Sequence, residues 1–165
     1  MHFELHPINK ALSKASFDCG YPSLNDFLRL YALKNEKLSI GKTYIGLSDN
    51  KGVCGYFTIS TAQIVAEDLP EDLQRKLPRY PVPAFRIGRL AVDKEYQGAG
   101  IGQKLLKHAL LKAIEVFYNV GLYAVLVDAI DEKAMRFYLK FGFIPFDEKP
   151  LTLFLPIDTI KRALL

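Results

Sequence analysis

The chain has 165 residues, half of them hydrophobic and 24% charged, so it folds around a packed core and is not a disordered segment. A single domain, residues 1–165, is expected, burying roughly 70% of the surface that the unfolded chain exposes. The formal charge of +4 is modest. No apolar run approaches the ~18 residues of a membrane span, and Met-His-Phe-Glu-Leu-His-Pro carries none of the features of a secretory signal, so a cytoplasmic protein is expected.

In chain order, residues 2–8 form a short strand weakened by Pro7. Pro22-Ser23-Leu24-Asn25-Asp26 is a helix start with Ser23 as N-cap. Leu24, Phe27, Leu28 and Tyr31 then share one helical face to about Lys37. Lys42–Leu47 and Val53–Ile64, joined by Ser-Asp-Asn-Lys-Gly, make a hairpin. Residues 67–83 are polar and proline-rich, with at most a short helix around Asp72–Leu77. Phe85–Val92 is the central strand, followed by a polar turn, Asp93–Tyr96.

A long helix opens at the glycine loop Gln97–Gly102 and buries Leu105, Leu106, Ala109, Leu110, Ala113, Ile114 and Phe117. Leu111 breaks its polar face, and Gly121 is expected to stop it. Tyr123–Ala129 is a strand covered on both faces. The helix before it makes a parallel crossover from the central strand. Glu132–Phe141 is a helix ending at Gly142; strands Phe143–Phe146 and Leu151–Leu155 and a small C-terminal helix complete an α+β layout with a mixed sheet. Cys19 and Cys54 form no metal-ligand spacing; reduced thiols are expected, with a disulfide as the alternative.

Two stretches carry chemistry. Gln97-Gly98-Ala99-Gly100-Ile101-Gly102 lies between a strand and a helix, with three glycines in five positions. Glycines admit a bulky anion to the backbone, and the helix start offers unpaired N–H groups and a positive dipole end. Together these make a seat for a phosphate or pyrophosphate, whereas a flexible turn without a ligand is the plainer reading. The order of glycines does not fit a dinucleotide fingerprint, and Gln103 stands where a P-loop needs lysine. The second stretch is Asp131–Phe143, where Ala134, Phe137, Tyr138 and Phe141 share a helix face. A core stripe with a buried tyrosine explains it, but a phenol is also a capable general acid toward a leaving thiolate. Five cations and no acid lie between Arg75 and Val92: Arg75, Lys76, Arg79, Arg86 and Arg89. Such a run is a solvated face, a cofactor attractor or a nucleic-acid footprint.

Gln97, Gly100 and Gly102 after a Leu-Ala-Val strand resemble the acetyl-coenzyme A loop of the GNAT N-acetyltransferase superfamily, and the A-x-x-F-Y-x-x-x-G-F pattern resembles its penultimate helix. Across almost the whole chain, Phe17-Asp18-Cys19-Gly20 with Pro22-Ser23-Leu24-Asn25, Gly88–Asp93, Phe137-Tyr138 and Pro150–Leu153 are similar to the aminoacyl-tRNA-acetylating toxins of bacterial toxin–antitoxin modules. The resemblance implies a GNAT fold whose mixed, mostly antiparallel sheet splays a central parallel pair around acetyl-CoA. It implies cofactor contacts from Leu90, Ala91, Val92, Gln97, Gly98, Ala99, Gly100, Ile101, Gly102, Gln103, Asp131 and Phe137, with Tyr138 donating to the sulfur. It further implies aminoacyl-tRNA on Arg75, Lys76, Arg79, Arg86 and Arg89, a ribbon-helix-helix antitoxin and frequent dimerisation. No metal is expected. Asp128 is the acid placed nearest the cleft, but an aspartate there also serves as a cap, and the weakly basic α-amino group of an aminoacyl ester needs no enzymic base; none is assigned. His2, His6 and His108 show no catalytic pairing. The other readings are a GNAT enzyme acting on a small amine or a protein N-terminus, and a coenzyme A-responsive binding module.

Overall fold

The structure, a computed structural model, describes residues 3–165. Its regular elements are β1 (Phe3–Pro7), α1 (Lys10–Ser13), α2 (Pro22–Asp26), α3 (Ala32–Lys37), β2 (Lys42–Ser48), β3 (Val53–Ile64) and α4 (Glu71–Gln74). They continue with β4 (Val82–Val92), α5 (Ile101–Phe117), β5 (Ala124–Asp128), α6 (Glu132–Leu139), β6 (Ile144–Pro145), β7 (Thr152–Pro156) and α7 (Ile157–Leu164). The strands make a seven-stranded mixed sheet in the order β1-β2-β3-β4-β5-β7-β6, with β4 and β5 parallel, as expected for this α+β layout. His2, expected in the first strand, lies outside the described residues. The chain divides into two compact units. One takes the chain up to Ser60 together with Arg89–Ala109; the other is Thr61–Gly88 with Leu110–Leu165.

In the first unit β1, β2 and β3 form an antiparallel meander, with Leu5 opposite Gly46 and Tyr44 opposite Phe57. Its core gathers Ile8, Cys19, Phe27, Leu28, Ala32, Ile45, Leu47, Val53, Tyr56 and Ala91. Gly46 and Gly55 face each other across β2 and β3, where Leu105 of α5 packs against them. A Cβ on Gly55 would stand 2.6 Å from Leu105 Cδ1 and 2.7 Å from the Ala91 carbonyl oxygen.

The helix over residues 22–37 departs from expectation twice. Pro22, not Ser23, opens it, with Tyr21 as N-cap, because proline has its φ preset for the first helical position and no N–H to leave unsatisfied there. The helix then widens into a π-turn over Phe27–Tyr31, in which the Ala32 N–H reaches back to the Phe27 carbonyl. The extra residue per turn rotates Tyr31 off the apolar face to 51% exposure and puts Ala32, fully buried, in its place. Phe27 and Leu28 hold the apolar face as expected.

In the second unit Ala84–Ile87 of β4 pair in parallel with Ala124–Val127 of β5. β5 then pairs antiparallel with β7, and β7 with β6. Ala124, Val125, Leu126 and Val127 are all buried, as a strand covered on both faces must be. Ile64, Leu69, Val82, Ala84, Ala124, Leu126, Phe146 and Phe154 form its core, with Phe146 and Phe154 stacked at 5.3 Å. α5 ends at Phe117, earlier than its glycine, and Gly121 is not left-handed. The Asn119 side-chain amide instead donates to the Glu115 carbonyl at the helix end. Gly142, by contrast, takes φ +89° just after α6. Cys19 and Cys54 are free and buried, which excludes the disulfide.

Candidate active site

The glycine loop belongs to the first unit. Asp93 caps the short 3₁₀ turn Lys94–Tyr96 by accepting from the Glu95 N–H at 2.9 Å, and α5 begins at Ile101. Between them Gly98 and Gly100 adopt φ +82° and +80°, conformations in which an L side chain is strained. A Cβ on either would meet nothing within 4 Å, so both glycines face open space. The N–H groups of Gly98, Ala99, Gly100, Ile101, Gly102 and Gln103 find no well-formed acceptor among the described residues; the first bonded amide is that of Lys104, to the Gly100 carbonyl. This donor row, at the positive end of a seventeen-residue helix, is what a pyrophosphate needs.

Gln97 has a different role within the loop. Its side-chain amide donates to the Cys19 carbonyl at 3.2 Å and the Val92 carbonyl at 2.9 Å, so both its hydrogens tie the loop to the protein. Ala91 is buried, while Leu90 and Val92 beside it on β4 are half-buried. Ile101 and Gln103 part company at the helix start: Ile101 is buried and Gln103 exposed.

Tyr138 lies in the second unit, on α6. It is 3% exposed, held edge-on by Phe137 at 5.2 Å and Phe143 at 5.5 Å. Its hydroxyl makes no hydrogen bond to the described residues. No buried side-chain oxygen or nitrogen among them lacks a partner, so the hydroxyl of this buried ring is not fully sealed from solvent. Burial, and secondarily the charge of Asp128, push its ionisation well above the usual phenol range, so it holds its proton at neutral pH. A protonated, unpartnered phenol is equipped to act as an acid. Asp131 caps α6 by accepting from the Ala134 N–H at 2.9 Å, which by itself accounts for an aspartate at that position. Phe137 is half-buried against Tyr138 and Phe141.

The five cations expected to face tRNA do not share one environment. Arg75, Lys76 and Arg79 are exposed around the end of α4, Arg75 pairing only loosely with Glu71 at 3.8 Å. Arg86 is ion-paired with Asp128, reaching from β4 to the end of β5. That partner is hidden in the sequence, because only the parallel pairing of the two strands brings positions 86 and 128 together. Arg89, in the other unit, lays its guanidinium 3.6 Å over the Phe27 ring. Sequence reasoning also misses what Asp18 and Asn25 do, although both stand in the stretch that carries the sequence resemblance; they are bound into the turn before the glycine loop.

Residues 41–145 match the family model described as the acetyltransferase (GNAT) domain. A tRNA-acetylating toxin of Mycobacterium tuberculosis is 34% identical over 148 residues, covering 90% of this chain and 88% of that protein. Among solved structures, AtaT complexed with acetyl-methionyl-tRNAfMet superposes with a TM-score of 0.88 at 30% identity, over 99% of this chain and 100% of that one. A tyrosine-to-phenylalanine variant of the AtaT toxin, bound to the C-terminus of the antitoxin AtaR and acetyl-CoA, gives 0.80 at 27% identity, over 98% and 97%.

Proposed function

The chain belongs to the GNAT acetyltransferase family, and we propose that it is a toxin that acetylates the amino group of aminoacyl-tRNA and thereby blocks translation. It is an acetyl-CoA-dependent N-acetyltransferase; when bound, that cofactor supplies an acetyl group activated as a thioester. The residues present fit it: the amides from Gly98 to Gln103, which lack a well-formed acceptor among the described residues, bind the diphosphate, and the open space at Gly98 and Gly100 admits it. Tyr138 holds a proton at Oη for the departing thiolate, and its apolar ring contacts keep that oxygen in one place. Asp128 is committed to Arg86, which argues against giving it the role of a free base; the incoming α-amino group, weakly basic beside its ester, loses its proton to water.

The observation that carries the enzymatic reading is the row of amides between Gly98 and Gln103 with no well-formed acceptor among the described residues. For the substrate, support comes from the toxin relative and from the exposed cations Arg75, Lys76 and Arg79, which suit a phosphate backbone; Arg86 and Arg89 join them only as part-engaged contributors. A homodimer, a ribbon-helix-helix antitoxin and a cytoplasmic location belong to the same proposal, as does a single catalytic domain over residues 1–165. Incubating the protein with labelled acetyl-CoA and charged tRNA tests it. Label is expected on the aminoacyl group and absent from uncharged tRNA. Transfer to small amines or protein N-termini, with none to any aminoacyl-tRNA, would replace the toxin reading by that of an ordinary GNAT enzyme.

A further inference from the structure

Segment 17–25 is threaded through the turn that launches the glycine loop. The Asp18 N–H donates to Asp93 Oδ2 at 2.9 Å, and the Asp18 carbonyl accepts from the Lys94 N–H at 2.8 Å. One residue further, the Cys19 carbonyl accepts from the Gln97 side chain. This bridge needs residues 18 and 19 to present their backbone in one fixed orientation, and two side chains supply it. Asp18 Oδ1 accepts from the Gly20 N–H and from Asn25 Nδ2, each at 2.9 Å, while Asn25 Oδ1 accepts from the Cys19 N–H at 2.9 Å. Gly20 closes this small ring at φ +93°, and Lys94 Nζ adds a 3.4 Å ion pair to Asp18 from outside. The Gly20 N–H and then the Asn25 amide hold the Asp18 carboxyl below its usual range, as expected for an anion fixed by donors. Asn25 is half-buried at the start of the helix, so the ring is anchored to that helix on one side and to the 93–97 turn on the other.

We propose that Asp18 and Asn25 are positioning residues for the cofactor's diphosphate, setting the backbone of residues 18 and 19 so that Asp93, Lys94 and Gln97 hold the amides of 98–103 facing outward. The inference rests on the reading that this loop binds acetyl-CoA. Neither side chain contacts the loop's free amides; both act on them through the turn. Without the ring, the loop must be ordered at the moment of binding, which raises the dissociation constant and leaves the chemical step intact.

The test measures binding of coenzyme A by calorimetry and the KM and kcat for acetyl-CoA, on full-length protein whose folding is checked by circular dichroism. Asn25→Ala and Asp18→Ala each remove two hydrogen bonds, and roughly a tenfold rise in Kd and KM is expected, with kcat at saturation within about twofold of the parent. Asp18→Asn keeps an oxygen for Gly20 and Asn25, and affinity is expected to return to within about threefold of the parent. Should the alanine variants not fold, Gln97→Met cuts the tethers to residues 19 and 92 while leaving the ring whole, and a rise in Kd at least as large is expected. Folded variants with unchanged affinity, or a fall in kcat without a rise in KM, would overturn the proposal. A parent protein that binds no coenzyme A would instead overturn the cofactor reading beneath it.

Discussion

Gly100→Ala isolates backbone conformation from steric crowding. At φ +80° an alanine costs about 1–2 kcal/mol relative to glycine, while the added Cβ meets nothing within 4 Å, so in the free protein the whole effect is conformational. That cost is divided between two measurements. If the free protein keeps the glycine conformation, the strain falls on stability, and Tm drops by about 2–8 °C at the ~2–4 °C per kcal/mol usual for a chain of this size. If the free loop relaxes to another φ, Tm holds and the strain is borne on binding, raising the Kd for coenzyme A about five- to thirtyfold. The two losses together should be no smaller than the strain, any excess in Kd measuring how far the new Cβ crowds the diphosphate. Asparagine tolerates the left-handed region better than alanine, so Gly100→Asn is expected to lose less Tm where stability bears the cost. Thermal melts of the free protein and calorimetry with coenzyme A measure both effects. A Gly100→Ala protein with parental Tm and parental Kd would refute the argument that the left-handed backbone here serves binding.

Gly55→Ala should act by the opposite mechanism: its Cβ would overlap Leu105 and the Ala91 carbonyl, so a loss of about 1–3 kcal/mol or more is expected in denaturant unfolding. Tyr138→Phe removes a hydroxyl that bonds nothing among the described residues, so stability should stay within about 0.5 kcal/mol while acetyl transfer falls roughly 10²-fold or more. Unchanged turnover would defeat the acid role. Burial raises the ionisation of both Tyr56 and Tyr138. A phenol that ionises later in the folded state than in the unfolded one contributes stability that is whole below the unfolded value of about 10 and is lost as pH rises through the folded value. Unfolding free energy should therefore fall above pH ~10, by up to about 1.4 kcal/mol per pH unit for each tyrosine, and less steeply in Tyr138→Phe. Replacing Arg75, Lys76 and Arg79 with alanine should weaken aminoacyl-tRNA binding and flatten its logarithmic salt dependence by about 0.7–0.9 for each phosphate that these side chains neutralise. An unchanged slope would remove those residues from the interface.

Strands, the long helix and the loop between them are legible because their signals are local. Alternating or continuous apolar runs mark β3 and β5, a 3.6-residue stripe marks α5, and glycines mark Gly98–Gly102. The same locality misleads where one helix carries two geometries: nothing in Phe27–Tyr31 announces the π-turn, which tertiary packing of Phe27, Leu28 and Ala32 selects and which turns Tyr31 outward. Gly121 resembles a helix stop for the same reason, although the helix has already ended near Asn119.

Residue types and their order determined that the chain has an anion-seating loop, a buried tyrosine on a short helix and a surplus of positive charge, since each follows from composition within a dozen positions. What those residues touch was decided only by tertiary structure. Arg86 meets Asp128, Arg89 covers Phe27, and Asp18 reaches Asp93 and Lys94 because strand pairing and chain crossing bring distant positions within 4 Å. A charge read along the sequence is free until the fold gives it a partner. Here the fold gave Arg86 and Arg89 partners distant in sequence, left Arg75 only a loose local pair with Glu71, and gave the six loop amides no well-formed acceptor among the described residues, a division that no local pattern encodes.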